Sequence, residues 1–196
     1  MNYGRQAWIL WLCAVWLGLF ALADHECQPG ASALAPARWP AASKLPFAKR
    51  HPLLLLFLHP RCPCSQACLS ELQRLRVRSP RSFDLLVVVG LPGQLDASDI
   101  TKRLERLWGI PRAEVFLDPG LQETSRFGSY TSGQSLLYSS SGRLRYQGGL
   151  TGSRGHEGEN SNAAALLALL SEEGPGLTAR PVYGCGLRQE EFCSQP

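Results

Sequence analysis

The chain has 196 residues, 44% of them hydrophobic and 18% charged, with 20 Lys and Arg against 16 Asp and Glu and seven cysteines. A chain of this size can bury a real core without a disulfide framework, and its composition excludes wholesale disorder. The formal net charge of +4 is small, and the basic residues are scattered rather than striped beside aromatics, which argues against a nucleic-acid surface. Only one stretch is long and apolar enough to approach a membrane span, which excludes a multi-pass membrane protein.

That stretch comes first. From Ala7 to Ala23 there is no charge, the main part reads WILWLCAVWLGLFALA, and Trp8, Trp11 and Trp16 lie in it. As a helix it reaches about 25 Å, slightly short of a hydrocarbon core of roughly 30 Å. Two fates are open. Ala21-Leu22-Ala23 is an A-x-A cleavage site directly before Asp24, so residues 1–23 read as a signal peptide released after Ala23; the Trp-rich run is also longer than a typical signal core. We take it as a retained single-pass anchor. In either case Arg5 stays on the cytoplasmic side and residues from Asp24 onward enter an oxidising, periplasm-type compartment. Cys13 lies inside the segment and reads as a small hydrophobe.

Residues 24–50 are rich in Ala, Pro and Ser without a period of 2 or 3.6, and read as a linker. At Leu53 the pattern changes to LLLLFLH, a continuous apolar run of strand length that suits a central strand buried on both faces. Ser65–Val77 places Cys68, Leu72 and Leu75 at helical spacing, with Leu69 widening the stripe. A second buried strand is expected at Phe83–Val89, then a helix at Ser98–Trp108, a short strand at Glu114–Leu117 and a helical turn at Leu121–Phe127. Ser135–Tyr138 and Leu144–Tyr146 form a hairpin about the turn Ser139–Gly142. Asn160 or Asn162 caps a last helix through AAALLALL, which Gly174-Pro175-Gly176 stops. The expected domain is therefore 51–173, with a Cys-containing tail at 174–196. Its order, strand-helix-strand-helix-strand-hairpin-helix, gives an α/β fold: a mixed sheet with helices on both faces.

The junction of the first strand and first helix reads His59-Pro60-Arg61-Cys62-Pro63-Cys64-Ser65-Gln66-Ala67-Cys68. A thiol there faces unpaired helix N–H groups, and Arg61 adds positive charge; both favour the thiolate, the reactive form. Cys62 is thus the expected nucleophile and Cys64 the nearest resolving thiol, with a structural or remnant pair in a non-catalytic binding domain as the alternative. Pro63 suits a first helical turn. Cys68, one turn on and on the Leu72/Leu75 face, reads as core.

With these residues in place the sequence resembles the thioredoxin-like superfamily, in its exported TlpA-like and bacterial RedB-type branch, over roughly residues 50–173. The apolar strand, HPRCPCS and the helix starting at the cysteines carry the resemblance, together with GQSLLYSSSGRLRYQGGLTGSRGHEGEN, which looks like the hairpin bearing the peptide-binding loop. The resemblance implies a thioredoxin-like fold and thiol–disulfide exchange with client protein thiols or disulfides. Two departures stand out. With Cys62 as the first redox cysteine, Ser65 falls where the second of a CxxC would be, and Gly133 takes the place of the cis-proline before the hairpin strand. A Cys62–Cys64 disulfide closes a smaller ring than CxxC does, and such strain eases reduction.

Metal binding is the rival chemistry. Cys64 and Cys68 make a CxxxC resembling the copper-delivering Sco-type members, soft thiolates suit Cu(I), and His59 is the candidate third ligand. The Gly152–Asn162 segment carries Arg154, His156, Glu157 and Glu159 among three glycines; its functional version sets His156 or Glu157 beside Cys62 as proton acceptor, its plain one is a solvated loop. In the tail, Cys185 lies between two glycines that allow close backbone approach, so it is a candidate partner thiol or third ligand. Cys27–Cys193 and Cys185–Cys193 bridges are equally compatible with the sequence. Arg74, Arg76, Arg78 and Arg81 read as a solvated cationic helix end. No phosphate-binding Gly motif or GxSxG is present, so no organic cofactor, nucleotide chemistry or serine hydrolysis is expected.

Overall fold

The computed structural model describes residues 3–47, 50–91, 110, 112–171 and 176–188. The expected helix at Ser98–Trp108 and Cys193 lie outside them. Helix α1 (Tyr3–Cys27) is followed by β1 (Leu53–Leu58), α2 (Cys64–Arg78), β2 (Asp84–Leu91), β3 (Ala113–Pro119), the short α3 (Gln122–Arg126), β4 (Gln134–Tyr138), β5 (Leu144–Gly149), α4 (Ser161–Ser171) and β6 (Thr178–Ala179). One six-stranded sheet runs β3-β2-β1-β4-β5-β6. The pairs β1–β2 and β2–β3 are parallel, β4 is antiparallel to β1 and to β5, and β6 runs parallel to β5. This is the thioredoxin-like arrangement.

The continuous leucine run is explained by β1's place between two neighbours and two layers, with every residue buried. Its even positions, Leu54, Leu56 and Leu58, join Cys68, Leu69, Leu72 and Leu75 of α2 and Leu166 and Leu170 of α4 in one cluster. The odd positions, Leu53, Leu55 and Phe57, face a second cluster with Phe127, Leu136, Tyr138 and Leu187. The period-2 geometry of a strand thus divides one apolar run between two cores.

The second core corrects the linker expectation. Part of 24–50 is a packed extended segment that covers this face: Ala35 N–H donates to Gln147 Oε1 at 3.0 Å and Gln147 Nε2 to the Ala33 carbonyl at 2.5 Å. The Tyr138 hydroxyl donates to Pro36 O at 2.8 Å, and Trp39 stacks on Phe47 with ring centroids 4.5 Å apart. Extended backbone satisfied by another element's side chains needs no periodic pattern of its own, so composition alone misreads it.

The tail is also part of the sheet. Beyond β6, Arg180 N–H donates to Gln147 O and Gly149 N–H to Pro181 O, at 2.9 and 3.0 Å. At the start of α4 the choice of cap is settled: Asn160 Oδ1 accepts from Ala163 N–H at 2.9 Å, whereas Asn162 is buried and donates to Thr151 O and Pro181 O. Asn162 thereby ties the helix to the tail.

Helix α1 extends past the apolar run at both ends. Its 25 residues measure about 37 Å, which removes the shortfall read from Ala7–Ala23. Within Gly4–Cys27 an 18-residue window has mean hydropathy 1.9 and none of it is buried against the domain, so the helix is long and apolar enough to cross a membrane.

Candidate functional site

The site forms where β1 ends. Cys62 N–H donates to His59 O at 3.1 Å and Ser65 N–H to Cys62 O at 3.0 Å, so the chain turns tightly from strand into helix. Pro63, with φ −61° and ψ −31°, already has helical geometry immediately before α2. Ser65, at the place of a second redox cysteine, is buried and structural: its hydroxyl donates to His59 O at 3.0 Å and lies 3.2 Å from Ser132 Oγ, which accepts from His59 N–H at 2.9 Å. His59 Nδ1 accepts from Arg61 N–H at 3.2 Å. His59 therefore sets the loop.

The partner of Cys62 comes from the far end of the chain. The residues before β4 and the tail run antiparallel: Ser132 N–H donates to Cys185 O and Leu187 N–H to Tyr130 O, each at 2.8 Å, and Thr131 bridges Gly186. This pairing carries Cys185 Sγ to 2.8 Å from Cys62 Sγ. Close approach is why glycine precedes it, since a Cβ on Gly184 would fall on the Ser132 carbonyl. The sulfurs of Cys62, Cys64 and Cys185 all lie within 4.8 Å of one another, with Cys62 and Cys64 buried and Cys185 half-buried.

Three thiols this close cannot ionise alike. Cys62 is held far below the ordinary thiol range, first by the hydrogen bond from the Cys185 thiol, then by one from Cys64, against the opposing effect of burial. Cys185 is pushed up because it donates to Cys62 and to Cys64 and is partly buried. For Cys64 the contact with Cys185 pulls downward, but its hydrogen bond to Cys62, burial and the charge on Cys62 together raise it, while Arg154 opposes them. One thiolate on Cys62 with two thiol donors is the state these shifts describe. Arg61 is exposed outside this cluster; neighbouring sulfurs, rather than its charge, stabilise the thiolate.

The other candidates fall elsewhere. Cys68 is 1% exposed within the first core, and burial, followed by the charges of Cys62 and Cys64, drives its thiol upward. The set Cys64, Cys68 and His59 is not assembled: among the described residues the cluster with metal-ligand geometry is Cys62, Cys64 and Cys185. The reason is helical, because Cys68 lies one turn beyond Cys64 on the face packed into the core. His156 is exposed, and Glu157 accepts from Ser70 Oγ at 3.1 Å and lies 3.9 Å from Arg74. Glu157 thus pins its loop to α2 rather than serving Cys62. Buried Glu71 does the same, accepting from Gly158 N–H at 2.6 Å and pairing with Arg74 at 2.5 Å.

Arg154 is the member of that loop which reaches the site. Its Nη1 donates to the Gly184 carbonyl, its Nε to His25 O at 3.2 Å and its backbone N–H to Glu26 O at 3.1 Å. It joins the end of α1 to the residue before Cys185. Nothing in the sequence singled it out, since both acceptors are backbone carbonyls of distant segments. Arg154→Ala is expected to loosen the tail and speed alkylation of Cys185 about tenfold, the scale of one charge-assisted hydrogen bond. Rates for Cys185 measured by mass spectrometry on reduced protein check this; an unchanged rate would show that Arg154 does not hold the tail.

Gly133 has φ +94°, donates its N–H to Phe57 O at 2.8 Å, and leaves only 2.8 Å between a notional Cβ and Cys68 Sγ. The backbone here is therefore one that proline cannot adopt.

No family model matches this sequence, and no curated protein matches it. Among solved structures, a hypothetical protein, SMc02350, from Sinorhizobium meliloti 1021 is similar with TM-score 0.51 and 20% identity, over 84% of this chain and 96% of that one. An uncharacterized conserved protein from Geobacillus kaustophilus is similar with TM-score 0.54 and 17% identity, over 84% and 94%. A secreted Mycobacterium tuberculosis disulfide oxidoreductase homologous to E. coli DsbE gives TM-score 0.44 and 12% identity, over 61% and 80%. The first two likenesses are of fold alone.

Proposed function

We propose that this chain is an exported thiol–disulfide exchange protein of the TlpA-like, RedB-type branch, anchored by α1 with its domain outside the cytoplasm. Its work is done by Cys62 against Cys185 and Cys64. The observation that carries the reading is the contact of Cys62 with Cys185 at 2.8 Å beside a third thiol. A thiolate stabilised by two thiol donors is both a ready nucleophile and a good leaving group. Residues 51–173 together with the packed tail form the working unit, and client protein thiols or disulfides are its partners. No organic cofactor enters this chemistry.

A second reading follows from the same three sulfurs. Soft thiolates suit Cu(I), and a planar three-sulfur site with bonds of about 2.3 Å needs its sulfurs about 4 Å apart. The cluster, with all pairs within 4.8 Å, reaches this geometry when the Cys62 and Cys185 sulfurs move apart from 2.8 Å. Copper would then be cargo, held by Cys62, Cys64 and Cys185.

One experiment separates the two: thiol mapping of the full chain in detergent through a graded glutathione series, with and without Cu(I). Exchange predicts reversible pairing of Cys62 with Cys185 or Cys64 at a defined potential. Failure of Cys62 to pair at any potential, with Cu(I) shielding all three thiols from alkylation, would replace exchange by metal delivery. Cys68 is expected to stay unlabelled in both cases.

A further inference from the structure

The tail does more than supply a thiol, because it also covers the approach to Cys62. Cys62 is 2% exposed and Cys64 8%, whereas Cys185 is half-buried. The extended edge at Tyr130–Ser132, where an incoming strand would add by backbone pairing, is already filled by Cys185–Leu187 of the same chain. That occupant is pinned on both sides. Val182 and Leu187 are buried, Arg154 holds the Gly184 carbonyl, and Gly184 lies against Ser132 too closely to admit a side chain. A client cannot reach Cys62 along this edge while the tail stays in place.

Resting on the exchange reading, we propose that the sulfur which meets the client is Cys185: a client thiolate attacks Cys185 Sγ of the oxidised Cys62–Cys185 pair, and Cys62 departs. The roles expected from the motif are thereby exchanged, with the strand-end cysteine as internal leaving group and the tail cysteine as the outward face. In the step, the client sulfur forms a bond to Cys185 Sγ, the Cys62–Cys185 bond breaks, and its electron pair stays on Cys62 as a thiolate. A second client thiolate then attacks the client sulfur of the mixed disulfide. This releases a client disulfide and returns Cys185 to the thiol form with a proton from solvent, so two electrons pass from the client dithiol to the protein pair. Accessibility sets the direction: Cys62 is buried and Cys185 is half-buried, so Cys185 is the member of the pair that an incoming thiolate reaches. The client class that fits is a cysteine thiol carried on a mobile segment or a small molecule, which can reach Cys185 without pairing along the filled edge.

The test uses the full chain in detergent micelles, oxidised with diamide, mixed with reduced glutathione, quenched with N-ethylmaleimide and mapped by mass spectrometry. The expected product carries glutathione on Cys185 and the maleimide on Cys62, exceeding the reverse labelling by at least about tenfold. The same distribution is expected in Cys64→Ala, where no third thiol can reshuffle the adduct. Glutathione found mainly on Cys62, with Cys185 alkylated, overturns the assignment of roles and leaves exchange standing. If oxidation forms no Cys62–Cys185 bond and neither sulfur takes up glutathione, exchange itself is wrong and this inference fails with it.

Discussion

Cys62→Ser is expected to lower exchange with a client disulfide by at least about a hundredfold while leaving the fold intact, because serine is close in size but cannot form the disulfide with Cys185 through which exchange turns over. Cys62 is the one member of the cluster held as an anion; the pKa values of Cys64 and Cys185 are both raised. Removing it leaves two poorly ionised thiols that must react from the neutral form. The direction of the shift also sets the pH behaviour. An ordinary thiol, with a pKa near 8.5, loses reactivity as pH falls to about 6, whereas the depressed Cys62 retains its thiolate there. Iodoacetamide labelling of the wild type should therefore show one thiol whose rate holds level across that window, and Cys62→Ser should abolish it. Cys68→Ser is the control: burying a hydroxyl in the α2 face of the core destabilises by about 1–3 kcal/mol, with exchange otherwise preserved. If Cys62→Ser retains full exchange, the Cys62–Cys185 pair is not the working pair.

Gly133→Pro, which installs the residue that the sequence resemblance implies at this place, is expected to destabilise by about 3 kcal/mol or more. Three independent features oppose it. The observed φ is +94°, proline holds φ near −65°, and its nitrogen cannot make the 2.8 Å bond to Phe57 O. In addition, the notional Cβ lies 2.8 Å from Cys68 Sγ. Against a total stability of about 5–15 kcal/mol this is a large fraction. Urea unfolding should show a lower midpoint at unchanged slope. Gly133→Ala should lose less, because it keeps the donor. An unchanged midpoint for the proline variant would mean that the loop accepts a negative φ, and the close pairing of Ser132 with Cys185 would need another explanation.

Reading from local pattern succeeded where the determining interactions are themselves local. The run LLLLFL could belong to little except a strand covered on both faces. The Cys68, Leu69, Leu72, Leu75 stripe fixed the buried side of α2, and the hairpin and the AAALLALL helix followed from turn and cap chemistry. The cysteine junction was legible for the same reason, since a thiol at a strand-to-helix turn is a short-range arrangement. Cys185 was marked by its flanking glycines as able to approach another backbone closely. Which backbone it approaches was not marked.

What the sequence determined by itself is the described strands and helices from β1 to α4, their order, the α/β class and the place of Cys62 and Cys64 at the strand-to-helix turn, because 2.0 and 3.6 periodicities and helix-end chemistry act within a few residues. Only the tertiary structure decided that 30–47 is a covering segment, that Arg154 clasps Gly184, and that Cys185 rather than Cys68 completes the cluster. These depend on backbone hydrogen bonds between segments far apart in the sequence, such as Ala33 N–H to Gly128 O and Ser132 N–H to Cys185 O. Such bonds use the peptide groups every residue carries, so they write no pattern into the side chains, and their partners are chosen only when the sheet closes.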